Sequence, residues 1–254
     1  MSAYNKWGHV NKVVRFFDLS EHDKFIFSQG LEKCQTDKQK IQRVIGNSLD
    51  DMLSINSAGE NSPLFWCFNN WGEPAILAKY LSSSTPLYAM HSSHGFTELW
   101  REKTRFHEAL VTRYLKTLIK NNLVQNKMVI VGNCQGAPFA ESLAIRINKD
   151  FGFWPLLISL DYIPQKNYQG QQVLLYGSAS HFNPFLTDID PIPIWQNHLG
   201  DFAWAFLDAG HGSYFKNPTV VNLVELVEAA LMHYQSNYQF GAINFGELIK
   251  PVCW

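Results

Sequence analysis

From Pro63 onward, short, wholly apolar runs alternate with segments of helical periodicity, and this alternation constrains the fold more than any other feature of the chain. Residues 64–68 (LFWCF), 86–91, 128–131, 156–160, 173–176 and 202–207 read as strands. A strand that is apolar at every position, and not at every second one, needs cover on both faces. Residues 74–81, 104–123, 136–147 and 220–234 read as helices. In the second of these, Phe106, Leu110, Tyr114 and Leu118 recur at one-sided spacing, with Val111 and Leu115 beside them. The order predicts an α/β fold: a mainly parallel central sheet with helices on both faces. Functional groups in such sheets collect just beyond the carboxyl ends of the strands.

Residues 1–60 lack this alternation. Residues 13–17 and 25–27 suggest short strands, 37–45 a helix, and 54–63 (SINSAGENSP) a polar connector. The division expected is an N-terminal extension, 1–60, packed on or covering a catalytic unit, 61–254. With 21 Lys+Arg against 22 Asp+Glu and no basic run, nucleic acid is not an expected partner. No segment approaches the roughly 18–20 apolar residues of a membrane helix. The N-terminal MSAYNKWGHVNKVVRFF has no apolar stretch followed by small residues, so a cytoplasmic location is expected. Cys34, Cys67, Cys134 and Cys253 are widely and irregularly spaced, which argues against a disulfide framework or a zinc site. No metal and no bound cofactor are expected.

Three groups after strands carry chemistry. Gly132-Asn133-Cys134-Gln135-Gly136 lies between a strand and a helix. It has the G-x-C-x-G form of the nucleophile elbow of α/β-hydrolases, with Cys where Ser is usual. The glycines relieve collisions at a turn sharp enough to strain the nucleophile's backbone. The helix N-terminus aims free N–H groups at the thiol, favouring thiolate and a developing oxyanion. Asp161 ends the next strand (LLISLDYIP), where an unpaired carboxylate would be costly. His211 sits in Asp208-Ala209-Gly210-His211-Gly212 after the last long strand. The chain order nucleophile, acid, His is that of the α/β-hydrolase triad. The strand at 173–176 is followed by GSASHFNPF, with no carboxylate, which ranks Asp161 above Asp188 and Asp190. The expected oxyanion donors are the backbone N–H groups of Gln135 and Asn70, with Asn69 next in rank. Asn69, Trp71, His91 and His94 are candidate substrate-lining residues.

PLFWCFNNWG, GNCQGAPFAESLAIRI, LISLDYIP and DAGHGSYFKNP together resemble the thioesterases of nonribosomal peptide and polyketide assembly lines, over roughly residues 63–234. The resemblance implies an acyl group delivered as a thioester on phosphopantetheine, from a carrier protein or from coenzyme A. Cys134 would be nucleophile, His211 base and Asp161 the orienting acid. Departures from the family pattern are the Cys, a single glycine in the loop Phe68-Asn69-Asn70-Trp71-Gly72, and a nearly absent lid. Only residues 162–172 separate the acid-bearing strand from the next. A thioester acyl-enzyme is more open to amines than an ester, which favours transfer over simple hydrolysis. Two other readings stand beside this one. A dienelactone-hydrolase-like Cys enzyme for a small ester or lactone would give Asp188 or Asp190 more weight. A non-catalytic module would keep the fold and bind an acyl chain or a partner protein, with Cys134 no more reactive than the other cysteines.

Overall fold

A computed structural model describes Lys38 and residues 47–92, 100–164 and 168–248. The expected elements at 13–17 and 25–27, almost all of the helix at 37–45, and His94 lie outside the described residues. One sheet of nine strands runs through the molecule: β1 (Asn47–Leu49), β2 (Met52–Ile55), β3 (Leu64–Phe68), β4 (Leu87–His91), β5 (Val129–Asn133), β6 (Leu156–Leu160), β7 (Gln172–Gly177), β8 (Phe202–Leu207) and β9 (Ile243–Asn244). Their spatial order is β1-β2-β4-β3-β5-β6-β7-β8-β9. The β1–β2 and β2–β4 pairs are antiparallel, and every other pair is parallel.

The apolar runs behave as their composition requires. Every residue of β3, β5, β6 and β7 is buried. Successive side chains go to opposite layers. Leu64, Trp66 and Phe68 join one core with Leu223, Val227 and Leu231 of helix α5 (Thr219–Gln235). Phe65 and Cys67 join the other, with Leu110 and Leu118 of α2 (Trp100–Lys120) and Phe139 and Leu143 of α3 (Ala137–Phe151). A short α1 (Gly72–Leu77) packs Leu77 on the first core. Trp195 of α4 (Ile192–His198) packs with Tyr176 and Phe202 in a third cluster. After β9, α6 (Phe245–Leu248) ends the described chain.

The sheet begins at Asn47, within the segment expected to form the extension. The β1–β2 hairpin, with Asp50 at φ 49° in its turn, pairs along β4 through Leu53↔Ala89 and Ile55↔Leu87. Ser54 and Ile55, expected in a connector, are therefore strand residues. Strands of three and four residues are too short for a periodic signal. The helix α4 was also absent from the sequence reading. Its prolines suggest a loop, yet Pro191 is its N-cap and Pro193 lies in the first turn, where proline removes no helix bond. Among the described residues, no helix is long and apolar enough to cross a membrane.

Candidate active site

The three groups singled out after strands meet at the carboxyl edge of the sheet. Cys134 follows β5 directly, in a one-turn 3-10 segment leading into α3. Its φ is 48°, a left-handed conformation that a residue with a Cβ adopts only under constraint from its surroundings. The flanking glycines are required by contact. A Cβ on Gly132 would stand 2.6 Å from Gly136 O, and one on Gly136 would stand 2.1 Å from Cys67 O. The elbow is thus pressed against β3, and no larger residue fits either position.

Cys134 Sγ lies 3.7 Å from His211 Nε2, and His211 Nδ1 lies 2.7 Å from Asp161 Oδ2. Asp161 is at φ 52° and its side chain is fully buried. It is well supplied with donors. Ser180 Oγ donates to Oδ2 at 2.7 Å, Gly177 N to Oδ1 at 3.3 Å, and the Tyr214 hydroxyl to Oδ2. The loop after β7, which has no acid of its own, therefore supplies Ser180 and the Gly177 amide to the acid of β6. Burial, and then the Asp161 carboxylate, hold the Tyr214 phenol well above its ordinary range, so it stays a donor. Asp188 and Asp190 are exposed. Asp190 accepts from Ile192 N at 3.0 Å, at the start of α4, and does not orient His211.

Burial is the largest influence on the Cys134 thiol and raises its pKa. The carboxylates of Asp161 and Glu73 raise it further, and a hydrogen bond from the Gln135 backbone N–H lowers it. The expectation that the helix N-terminus favours thiolate is thus met by one amide and outweighed by desolvation.

No family model and no curated protein sequence matches the chain, whereas solved structures do. The NocB thioesterase domain from the nocardicin cluster aligns with a TM-score of 0.54 at 12% identity, covering 71% of this chain and 98% of that one. The RedJ thioesterase from the prodiginine biosynthetic pathway in Streptomyces coelicolor gives 0.51 at 10%, covering 68% and 87%. The thioesterase domain SrfTE, described for cyclisation of the lipopeptide antibiotic surfactin, gives 0.50 at 13%, covering 73% and 97%. The chain has the α/β-hydrolase fold. At these identities the likeness is one of fold.

Within this α/β-hydrolase frame, the loop after β3 runs beside the elbow. Gln135 N–H points at Cys134 Sγ. The Asn70 N–H has no protein acceptor among the described residues, whereas Asn69 N donates to Glu73 Oε2 at 2.9 Å. The Asn69 amide is thus occupied. Trp71 and His91, expected to line the site, are 4% and 7% exposed, with ring centroids 5.3 Å apart. The Asn69 side chain accepts from Ser92 Oγ at 3.2 Å and is likewise engaged in holding the loop.

The sequence reading missed Glu73, Asn133, Ser180, Tyr214 and the pair His181-Phe182. The rings of His181 and Phe182 lie 5.0 and 4.8 Å from the His211 ring and form the rim on that side. Tyr214 carried a signal, since it follows His211 by three residues and starts the approach to α5. Glu73 carried one too, as an acid in the first turn of a helix next to the expected oxyanion loop. Ser180 carried none, because only the fold brings it to Asp161.

Proposed function

We propose that the protein is an acyl-thioester-processing enzyme in which Cys134 becomes acylated. The observation that carries the reading is the continuous contact from Cys134 through His211 to Asp161, at 3.7 and 2.7 Å. The acyl group arrives on a phosphopantetheine arm of a carrier protein or on coenzyme A, in keeping with neighbours described as thioesterases of natural-product pathways.

Burial raises the Cys134 thiol, and His211 acts as a general base during attack, in the manner of a serine enzyme. Cys134 Sγ bonds to the carbonyl carbon as Nε2 takes the thiol proton. Asp161 keeps the Nδ1 proton in place and stabilises the imidazolium. The oxyanion is received by Gln135 N–H and Asn70 N–H. When the tetrahedral adduct collapses, the carbon–sulfur bond to the carrier breaks and His211 returns the proton to the departing thiolate. Water, an amine or an alcohol then attacks the acyl-Cys134 thioester, again with His211 accepting its proton. The Cys nucleophile, which forms a thioester acyl-enzyme open to amines, favours transfer to an amine alongside hydrolysis.

The test is mass spectrometry of intact protein after incubation with N-acetylcysteamine and coenzyme A thioesters. Wild type should gain the mass of one acyl group, and Cys134→Ala should gain none and turn over at least 10³-fold more slowly, an order-of-magnitude figure for loss of a nucleophile. Unchanged turnover in Cys134→Ala would sink the proposal.

A further inference from the structure

The loop expected to supply the second oxyanion donor is held by a carboxylate that the chain order of nucleophile, acid and His does not include. Glu73 Oε2 accepts Asn69 N at 2.9 Å and Asn133 Nδ2 at 3.2 Å, and Glu73 Oε1 accepts Asn70 Nδ2 at 2.9 Å. Asn133 immediately precedes Cys134, and its Oδ1 accepts Trp66 Nε1 at 3.0 Å. The Asn70 carboxamide turns back through its Oδ1 to accept Gly72 N at 2.9 Å. One carboxylate thus ties the loop after β3 both to itself and to the residue behind the nucleophile.

We propose that Glu73 is a positioning residue for acyl transfer, fixing the Asn70 amide relative to Cys134. The proposal rests on the acyl-transfer reading of the site. Its logic is one of occupancy. Glu73 takes the Asn69 amide, so the next N–H along the chain is the one left for an oxyanion. It also ties Asn133 to the same oxygen, so loop and elbow hold one separation. A donor helps when it already stands about 2.7–3.1 Å from where the oxyanion develops, because a preorganised dipole pays no reorganisation then. Three donors among the described residues engage its two oxygens, so Glu73 serves the loop.

Glu73→Gln retains size and tests the charge. Its NH2 group must face at least one of the three donors, so one clamp bond is lost. Two reactions of Cys134 separate positioning from general damage. Acylation by octanoyl-N-acetylcysteamine passes through an oxyanion, whereas alkylation by iodoacetamide does not. In Glu73→Gln, acylation should slow by about 10–100-fold, on the scale of a displaced oxyanion donor, with KM within about twofold. Alkylation at high pH should stay within about twofold of wild type. Glu73→Asp should keep the charge and recover part of the loss.

Acylation at the wild-type rate in Glu73→Gln would overturn the proposal, and so would an equal fall in acylation and alkylation, which would mean that the whole elbow had collapsed. If wild type is not acylated by any thioester, the acyl-transfer reading fails. The clamp itself is then judged by amide hydrogen exchange of a peptide spanning residues 69–72. Faster exchange confined to that peptide in Glu73→Gln supports the clamp, and unchanged exchange overturns it.

Discussion

Two carboxylates raise the pKa of the Cys134 thiol, and they are held in different ways. Asp161 is gathered from far along the chain: Gly177 and Ser180 come from the end of β7 and the loop after it, His211 and Tyr214 from the loop after β8. Glu73 is bound by its neighbours Asn69 and Asn70 and reaches across the sheet to Asn133. Asp161 meets the imidazole and sets which nitrogen carries the proton. Glu73 meets amides and sets where a loop lies. The difference shows that one nucleophile needs two kinds of order. Proton transfer depends on a charge beside a titrating ring, and oxyanion binding depends on backbone N–H groups held still.

The largest effect is expected from Asp161→Asn. An amide nitrogen facing His211 Nδ1 would force the wrong tautomer, leaving Nε2 unable to take the thiol proton. Acylation should fall by on the order of 10³–10⁴-fold, measured by stopped release of N-acetylcysteamine. A loss no larger than that of Glu73→Gln would erase the distinction between the two carboxylates. Ser180→Ala comes next below the Glu73 change. It removes one donor to a buried charge, which costs about 1.5–3 kcal/mol of stability, read by urea unfolding. Turnover should fall by about tenfold, since Tyr214 and Gly177 N still hold Asp161. An effect equal to that of Asp161→Asn would make the loop after β7 part of the proton-transfer chain.

How much of this was legible in the sequence follows the same division. The central strands and the elbow were visible because wholly apolar runs and paired glycines reflect burial and close contact, and both are local properties. Cys134, Asp161 and His211 were visible because each ends or follows such a run. The β1–β2 hairpin was not, since three- and four-residue strands such as Asn47–Leu49 carry no period and are defined by their partner β4. Trp71 lies in the expected oxyanion loop and His91 ends β4, and both are buried in the fold. Position at a strand end does not say how far a ring is exposed, and here both rings are 4–7% exposed and in contact with each other. Ser180 and Asn133 act through contacts 19 and 60 residues away along the chain, which no local pattern announces.

The smallest effect tests the charges themselves. Burial, Asp161 and Glu73 all raise the Cys134 thiol, in that order with the opposing Gln135 amide between the first two. Only the thiolate is alkylated, and a negative neighbour disfavours it. Removing a carboxylate charge must therefore move the pH midpoint of iodoacetamide labelling downward. Wild type should show the highest midpoint, Glu73→Gln a lower one and Asp161→Asn the lowest, because Asp161 acts on the thiol more strongly. All three should lie on the alkaline side of an ordinary cysteine, since desolvation persists in each. A midpoint that stays fixed in Glu73→Gln would mean that its carboxylate carries no charge at the site, and a reversed order of the two variants would mean that the loop carboxylate acts on the sulfur more strongly than the acid beside the imidazole.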